Sequence, residues 1–414
     1  VAETYLLRGA RQLLTLHGPP EARRGAGLAE LSIINDGALL IKDGRIEEAG
    51  MTRRVENLAA ARRAEVIDAT GHVVMPAFVD SGVSLVFTHS GTDKNDRRLR
   101  NGVPQTAASQ REDILDAVRA LKLIAKKRLT MRASLLAASL ARVGTGTAGV
   151  VTGYGLDDTG EVKTLRTIEA IGRSVLDSVP TFFGGNAVPD GVNPCDFAER
   201  TLVPLTSTIK RRRLAEIAAV RCGPLAFDNA AARTFLHAAR ELGLHRAIYS
   251  QQFEPDDSVL LALECGAISV AHLEHISDDH VDLLSRGRTI AVLTPAATYH
   301  MGLPRFAPAR DLIDRGAAVA LATAFNPDQC PTYSMPFNIA MACRYLGMSP
   351  AEAIVASTFN AACALGRSRK VGSLESGKQA DLLILNARDY RELALTPGLN
   401  LVHKIMKAGR FVQC

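Results

Sequence analysis

The sequence predicts an α/β protein: a (β/α)8 barrel over residues 73–367, with a small β-sandwich built from 1–72 and 368–414. Three observations carry this. Apolar strand-like runs alternate with helical patterns through the middle of the chain, and each run ends in small or polar residues. Both chain ends read as short strands with turn punctuation. The 414 residues suit one large barrel with a smaller appendage.

At the N-terminal end, "GALLIKDGRIEEAG" (37–50) holds two alternating runs joined by Asp43-Gly44, a hairpin signal. "AEVIDATGHVVM" repeats the device with Thr70-Gly71, which predicts a second hairpin. The barrel strands then end at "VDSGVS", "GVVTGYG", "TFFGGNAV", "PLAFDN", "AIYSQQF", "ISVAHLEH", "IAVLTPAA" and "VALATAFNP". Between them, "AARTFLHAARELGL" (231–244) has helical periodicity. "SPAEAIVASTFNAACALG" (349–366) reads as one helix opened by a Ser-Pro cap pair. "ADLLILNA" (380–387) and "HKIMKAGRFVQ" (403–413) return to strands, and these short ends pair most simply with each other.

Composition narrows the class. The apolar share is 47%, with no run approaching the roughly 20 apolar residues of a membrane span. The first residues lack a basic leader before an apolar core, so the expectation is a cytoplasmic protein with no membrane partner. The net charge of +6 is scattered. Its densest runs, "KRRR" (210–213) and "KK" (126–127), lack interleaved aromatics and read as solvated helix faces, not as a nucleic-acid surface. The seven cysteines (195, 222, 265, 330, 343, 363, 414) form no CxxC pair and read as reduced thiols.

Barrel chemistry sits at the C-terminal ends of the strands. That directs attention to Asp80–Ser84, Tyr154, Asn186, Tyr249–Gln252, His272 and Ala324–Asp328. The first of these is a puzzle. In "MPAFVDSGVSLVF" (75–87) a strand leads into Asp80, and Gly82 and Ser84 follow at the spacing that points two side chains the same way. Neither can hold a metal or usefully move a proton.

A resemblance resolves it. "RGARQLLTL", "DGALLIKDGRI", "TGYGLDDTGEVKTLR", "NAVP", "ISVAHLEHISD", "VALATAFNP" and "GSLESGKQADLLIL" resemble the imidazolonepropionases of the amidohydrolase superfamily nearly end to end. The resemblance implies a barrel flanked by a β-sandwich, one zinc or iron, hydrolysis of the ring amide of imidazolone propionate, and a homodimer. The family's strand-1 His-x-His falls on Gly82 and Ser84, and its strand-5 metal His on Tyr249. Its catalytic Glu falls on Gln252 and its strand-8 Asp on Ala324; the strand-6 His persists as His272. In the substrate set Tyr154 is kept. Asn186 stands for a His, Val151 for a Lys and Gly91 for an Arg, and Asp328, Gln329 and Cys330 replace a Gly-Ser-Ser turn.

A catalytic zinc needs about three N, S or O ligands and an open position. Gly and Ala offer none, Ser84 is a poor neutral donor, and a phenol with a pKa of about 10 stays protonated. Without a metal, water keeps a pKa far above neutrality instead of about 7, and Gln252 cannot serve as a general base. The expectation is therefore no metal and no cofactor. Tyr154, Asn186, Gln252, His272 and Asp80 contact a small cyclic or aromatic ligand, and Tyr249 and His272 are the candidates for any remaining catalysis. Each has a plainer alternative. His272, with Glu274 two residues on as its orienting partner, is either a ligand contact or a structural histidine. Tyr154 either touches ligand or packs the rim. Asp80 is read as a cap of backbone donors over a base, Tyr249 as filler of the vacated metal volume, and Cys330 as an inert thiol. His89, His275, His280 and His300 are read as solvated, over a replacement metal site. With Tyr249 and Ala324 in place, the pocket is expected to be apolar and to suit a neutral ring. Three functional classes compete: a binding or scaffold protein, an enzyme of metal-independent cyclisation or elimination, and a C–N hydrolase with an unusual site.

Overall fold

The computed structural model describes residues 3–88, 91–171, 175–223 and 226–412. Among these residues, sixteen strands form two sheets of eight. The first sheet holds β1 (Thr4–Leu14), β2 (Ile33–Lys42), β3 (Arg45–Met51), β4 (Glu65–Asp68) and β5 (Val73–Pro76). The second is β6 (Phe78–Val83), β7 (Thr145–Val151), β8 (Asp177–Gly185), β9 (Ile217–Arg221), β10 (His245–Ser250), β11 (Ser269–His272), β12 (Ile290–Leu293) and β13 (Val319–Leu321). The chain then returns to the first sheet with β14 (Leu382–Leu385), β15 (Val402–Lys407) and β16 (Arg410–Phe411).

The order β16-β15-β14-β5-β1-β2-β3 brings both chain ends into one sheet. Its apolar face is closed by Leu7, Leu13, Leu39, Ile41, Leu382, Ile384 and Met406. The Asp43-Gly44 hairpin is present: both residues have positive φ, and Lys42 pairs with Arg45. The Thr70-Gly71 hairpin is not. β4 and β5 both run parallel to β1, end to end along it, with Tyr5 opposite Glu65 and Gln12 opposite Val73. The register advances by one residue between them, so the segment is a bulge. Asp68 Oδ1 accepts from Thr70 N at 2.9 Å, and Gly71 at φ +84 bends the chain without reversing it.

The second sheet runs parallel in strict sequence order from β6 to β13, as a barrel requires. Small residues line its interior: Ala219, Ala247, Ala271, Ala320 and Ala322 beside Val79, Val151, Val179 and Phe183. The seam between β13 and β6 closes through Ser84 N donating to Phe325 O at 2.7 Å, and through Asp80. Two sequence expectations shift here. The fourth barrel strand is "IAAVR" (217–221), not the "PLAFDN" run; Phe227 of that run is a wholly buried loop residue whose N–H bonds to Arg221 O. The single helix expected over 349–366 is two, Pro350–Ala356 and Phe359–Ala364, broken where Thr358 leaves helical geometry. The Ser-Pro start does form a cap, with Ser349 and Glu352 in a reciprocal capping box. Among the described residues no helix is long and apolar enough to cross a membrane.

Candidate functional site

Asp80 sits wholly buried on β6. Its Oδ1 accepts from Thr323 N at 3.1 Å and Gly82 N at 3.5 Å, and the Thr323 hydroxyl donates to Oδ2. Burial outweighs these bonds and pushes the carboxyl up to about 6. The side chain is therefore committed to the seam, in line with its reading as a cap.

Two residues on, a Cβ added to Gly82 would lie 3.0 Å from the Tyr249 hydroxyl oxygen. Tyr249, near the end of β10, thus reaches across the barrel into the space a side chain at 82 would enter. Its ring stacks on Phe183 with centroids 4.5 Å apart and stands 5.8 Å from His272. Burial raises the phenol to about 12, against the pull of Arg221.

His272 ends β11 at φ +80, and Leu273 follows at φ +71. These left-handed residues break the strand's period of two, so Glu274 does not orient His272. Instead His272 Nδ1 lies 3.1 Å from Thr294 Oγ1, while Thr298 Oγ1 donates to Glu274 Oε1 at 2.7 Å. Glu274 Oε2 is buried with no hydrogen-bond partner among the described residues. Burial, helped by Arg221, drives His272 down to about 3, and burial lifts Glu274 to about 7. Near neutral pH the imidazole is uncharged.

Tyr154, Asn186 and Gln252 do converge. Asn326 Nδ2 donates to the Tyr154 hydroxyl at 2.5 Å, and Phe87 packs edge-on to the Tyr154 ring at 4.9 Å. Burial raises the Tyr154 phenol against hydrogen bonds from Ser84 and Asn326 and the charge of Arg221. Glu161 fixes the Tyr154 turn by accepting from Gly155 N at 2.8 Å and Leu156 N at 3.1 Å. Asn186 Nδ2 donates to Gly153 O at 3.1 Å. Gln252 is reached from the helix Ala107–Leu123, where Gln110 Nε2 donates to its Oε1 at 3.1 Å.

The residue that joins them is Arg221, at the end of β9 and in register with Tyr249 on β10. Its Nε donates to Asn186 Oδ1 at 3.2 Å and its Nη1 to Gln252 Oε1 at 3.3 Å; its carbon lies 5.7 Å from the Phe183 ring centroid. Sequence reasoning missed it because the strand was placed too late, on "PLAFDN"; the continuous apolar run before Arg221 was the available signal. The pocket is therefore not simply apolar.

The fold family implies a metal, but the residues present do not fit one. Gly82 and Ala324 carry no donor, the phenol at 249 holds its proton, and Nδ1 of His272 is engaged by Thr294. Among the described residues no three His, Cys, Asp or Glu side chains group as a metal site. The remaining histidines are dispersed. His280 is buried, not solvated, and bonds Gln251 at 3.2 Å; His275 and His300 are half-buried. His89 lies outside the described residues. Cys330 is buried with its Sγ 3.5 Å from Thr323 O, and burial raises its thiol to about 12, which keeps it unreactive. A Cβ at Gly91 would overlap the Asp328 carboxylate, so position 91 has no room for a longer side chain.

The chain is similar to known proteins along its whole length. Residues 235–412 match the model of the amidohydrolase family. The imidazolonepropionase of Solibacter usitatus is 37% identical over 409 residues, covering 98% of each chain. That of Chloroflexus aggregans is 36% identical over 419 residues, with the same coverage of both chains. Among solved structures, a mutant atrazine chlorohydrolase of Arthrobacter aurescens complexed with zinc and atraton superposes with a TM-score of 0.74 at 15% identity, covering 98% of this chain and 94% of that one. An adenosine deaminase of Xanthomonas campestris with bound zinc gives 0.69 at 15% identity, with coverage of 98% and 92%. These structures share the fold; the identities over full length go further, and the chain belongs to the imidazolonepropionase family of amidohydrolases.

Proposed function

We propose that this protein is an imidazolonepropionase-like amidohydrolase-fold protein without a metal centre, binding a small cyclic or aromatic ligand at the barrel mouth. It acts there either as a non-hydrolytic binding protein or through metal-independent chemistry. The observation that carries the reading is the Tyr249 hydroxyl standing 3.0 Å from where a side chain at position 82 would begin. Two of the family's ligand positions are thereby accounted for together, one emptied and one filling the space. The mouth retains tools for binding: a stacked aromatic pair, an uncharged imidazole and the Tyr154 phenol, each held by packing or hydrogen bonds.

The test is elemental analysis after incubation with zinc, iron and manganese, followed by assay on imidazolone propionate. The expected result is far less than one metal per chain and no ring opening. Close to one metal per chain, resistant to brief chelation, overturns the reading and favours the alternative, a C–N hydrolase with a non-standard site.

A further inference from the structure

Arg221 is a cation without a counter-charge. No carboxylate lies within salt-bridge distance of it among the described residues, in contrast to buried Asp113, which is paired with both Lys94 and Arg98. The titratable groups facing it are the Tyr154 and Tyr249 phenols, the Cys222 thiol and the His272 imidazole. Burial pushes the phenols and the thiol upward and the imidazole downward, so all four are neutral near pH 7. The guanidinium is half-buried and faces only uncharged groups, so its charge is not neutralised by the protein and its open edge can receive an anion.

The geometry is set for one. The two acceptors that Arg221 has are amide oxygens, each fixed by a second bond. Asn186 is held through Gly153 O, and Gln252 through Gln110 and through its Nε2 donating to Met301 Sδ at 3.2 Å. These bonds occupy Nε and one N–H of Nη1. Nη2 has no hydrogen bond to any described residue, leaving its two N–H donors unused. Beside it stands the Phe183–Tyr249 stack.

We propose that Arg221 is the anchor of an anion-binding subsite at the barrel mouth, receiving a carboxylate on its free Nη2 edge while the ring that bears the carboxylate lies against Tyr249. This rests on the proposed reading of the mouth as a ligand site and names the ligand's chemistry: a planar ring acid. It replaces the expectation of a neutral ring. A guanidinium suits a carboxylate because a planar fork of donors meets a planar pair of acceptors.

The probes are benzoate and 3-phenylpropionate, each against its neutral amide, with phenyl phosphate as a second anion. Thermal shift and calorimetry are run on the wild type, Arg221→Gln, Arg221→Lys and Arg221→Met. The acids are expected to raise the melting temperature of the wild type and the amides not to. Arg221→Gln should weaken the acids about tenfold to a hundredfold, the loss expected for a hydrogen bond to a charged group, and Arg221→Lys should recover part of it. Phenyl phosphate binding better than either acid would overturn the carboxylate assignment. A structural role is separated by comparing variants: Arg221→Met strands the Asn186 oxygen and lowers the ligand-free melting temperature on either reading, whereas only an anion subsite predicts that the shift given by the acids is lost in Arg221→Met and partly restored in Arg221→Lys. Equal binding of acid and amide overturns the proposal, as does unchanged acid affinity in Arg221→Gln, or no binding by any probe. Amides that bind in every variant would leave the mouth a ligand site without the anion subsite. One metal per chain together with Arg221-dependent acid binding would overturn the metal-free reading and leave the subsite standing.

Discussion

Replacing Gly82 with Ala tests the spatial claim on which the proposed function rests. The new Cβ would lie 3.0 Å from the Tyr249 hydroxyl and 3.9 Å from the ring carbon that bears it. The first contact is closer than ordinary packing, by a few tenths of an ångström; the second is comfortable. Gly82 is not among the positive-φ glycines, so an alanine backbone is unstrained there. The whole penalty therefore falls on one oxygen atom. Tyr249 cannot swing away freely, because its ring is stacked on Phe183. Overpacking of this kind costs about 1–3 kcal/mol. Removing that oxygen with Tyr249→Phe should relieve it, since no described residue hydrogen-bonds to it and Phe keeps the stack. The double variant should recover most of the loss, with a coupling energy of about 1–2 kcal/mol between the two sites. Thermal unfolding of the wild type, both single variants and the double variant, at one scan rate and pH, measures the cycle. Additive effects, or a Gly82→Ala variant as stable as the wild type, would refute the idea that Tyr249 occupies the space of a residue-82 side chain.

Two further outcomes follow from the buried carboxyls. Folded Glu274 keeps its proton to about pH 7, whereas unfolded it releases it near 4.5. Its contribution to stability is therefore full below 4.5 and is lost as pH rises through about 7, a change of about 3 kcal/mol. Glu274→Gln should flatten stability between about pH 5 and about pH 8, and an unchanged pH profile would show that the carboxyl is not desolvated. Asp80, raised from 3.8 to about 6, follows the same sign. Thr323→Val removes one of its hydrogen bonds, which should cost about 1–3 kcal/mol and cost more above pH 6 than below 3.8. Equal penalties in urea melts at the two pH values would mean that Asp80 keeps one protonation state across that range.

Much of the barrel was legible because its signals are local. Apolar runs that end in small polar residues marked seven of the eight strand ends, and Asp43-Gly44 marked a hairpin whose positive φ values it supplies. The failures were also local signals, overruled by tertiary partners. Thr70-Gly71 forms a bulge because β1 offers both flanking segments a parallel neighbour. "PLAFDN" looks like a strand because Phe227 is apolar, yet Phe227 is a loop residue plugged into the core. That error hid Arg221. The polar links among the candidate residues lay beyond reach: Asn326 to Tyr154, Gln110 to Gln252 and Thr294 to His272 join positions far apart in the chain, and no spacing rule encodes them.

The polar residues of the barrel mouth divide by what their side chains hold. Asp80 satisfies the N–H groups of Thr323 and Gly82, Glu161 those of Gly155 and Leu156, and Asn326 those of Asp328 and Gln329. Losing any of them would strand buried backbone donors, at about 1–3 kcal/mol each. Positions 82, 249 and 324 hold no such bonds, and Gln252 bonds only to side chains. Their identities can change without opening the barrel, so a chain can keep the architecture of its family while its mouth turns to other chemistry. Arg221 and Tyr249 face each other in register on β9 and β10, which puts a fixed cation beside the phenol. Such a cation differs from a metal ion in one decisive respect. It offers N–H donors but no coordination position, so it can hold an anion or stabilise a developing negative charge, yet it cannot bind a water molecule and make it acidic. Under the proposed reading, that difference directs the protein away from hydrolysis and toward holding, or reshaping, an acid that brings its own reactive groups.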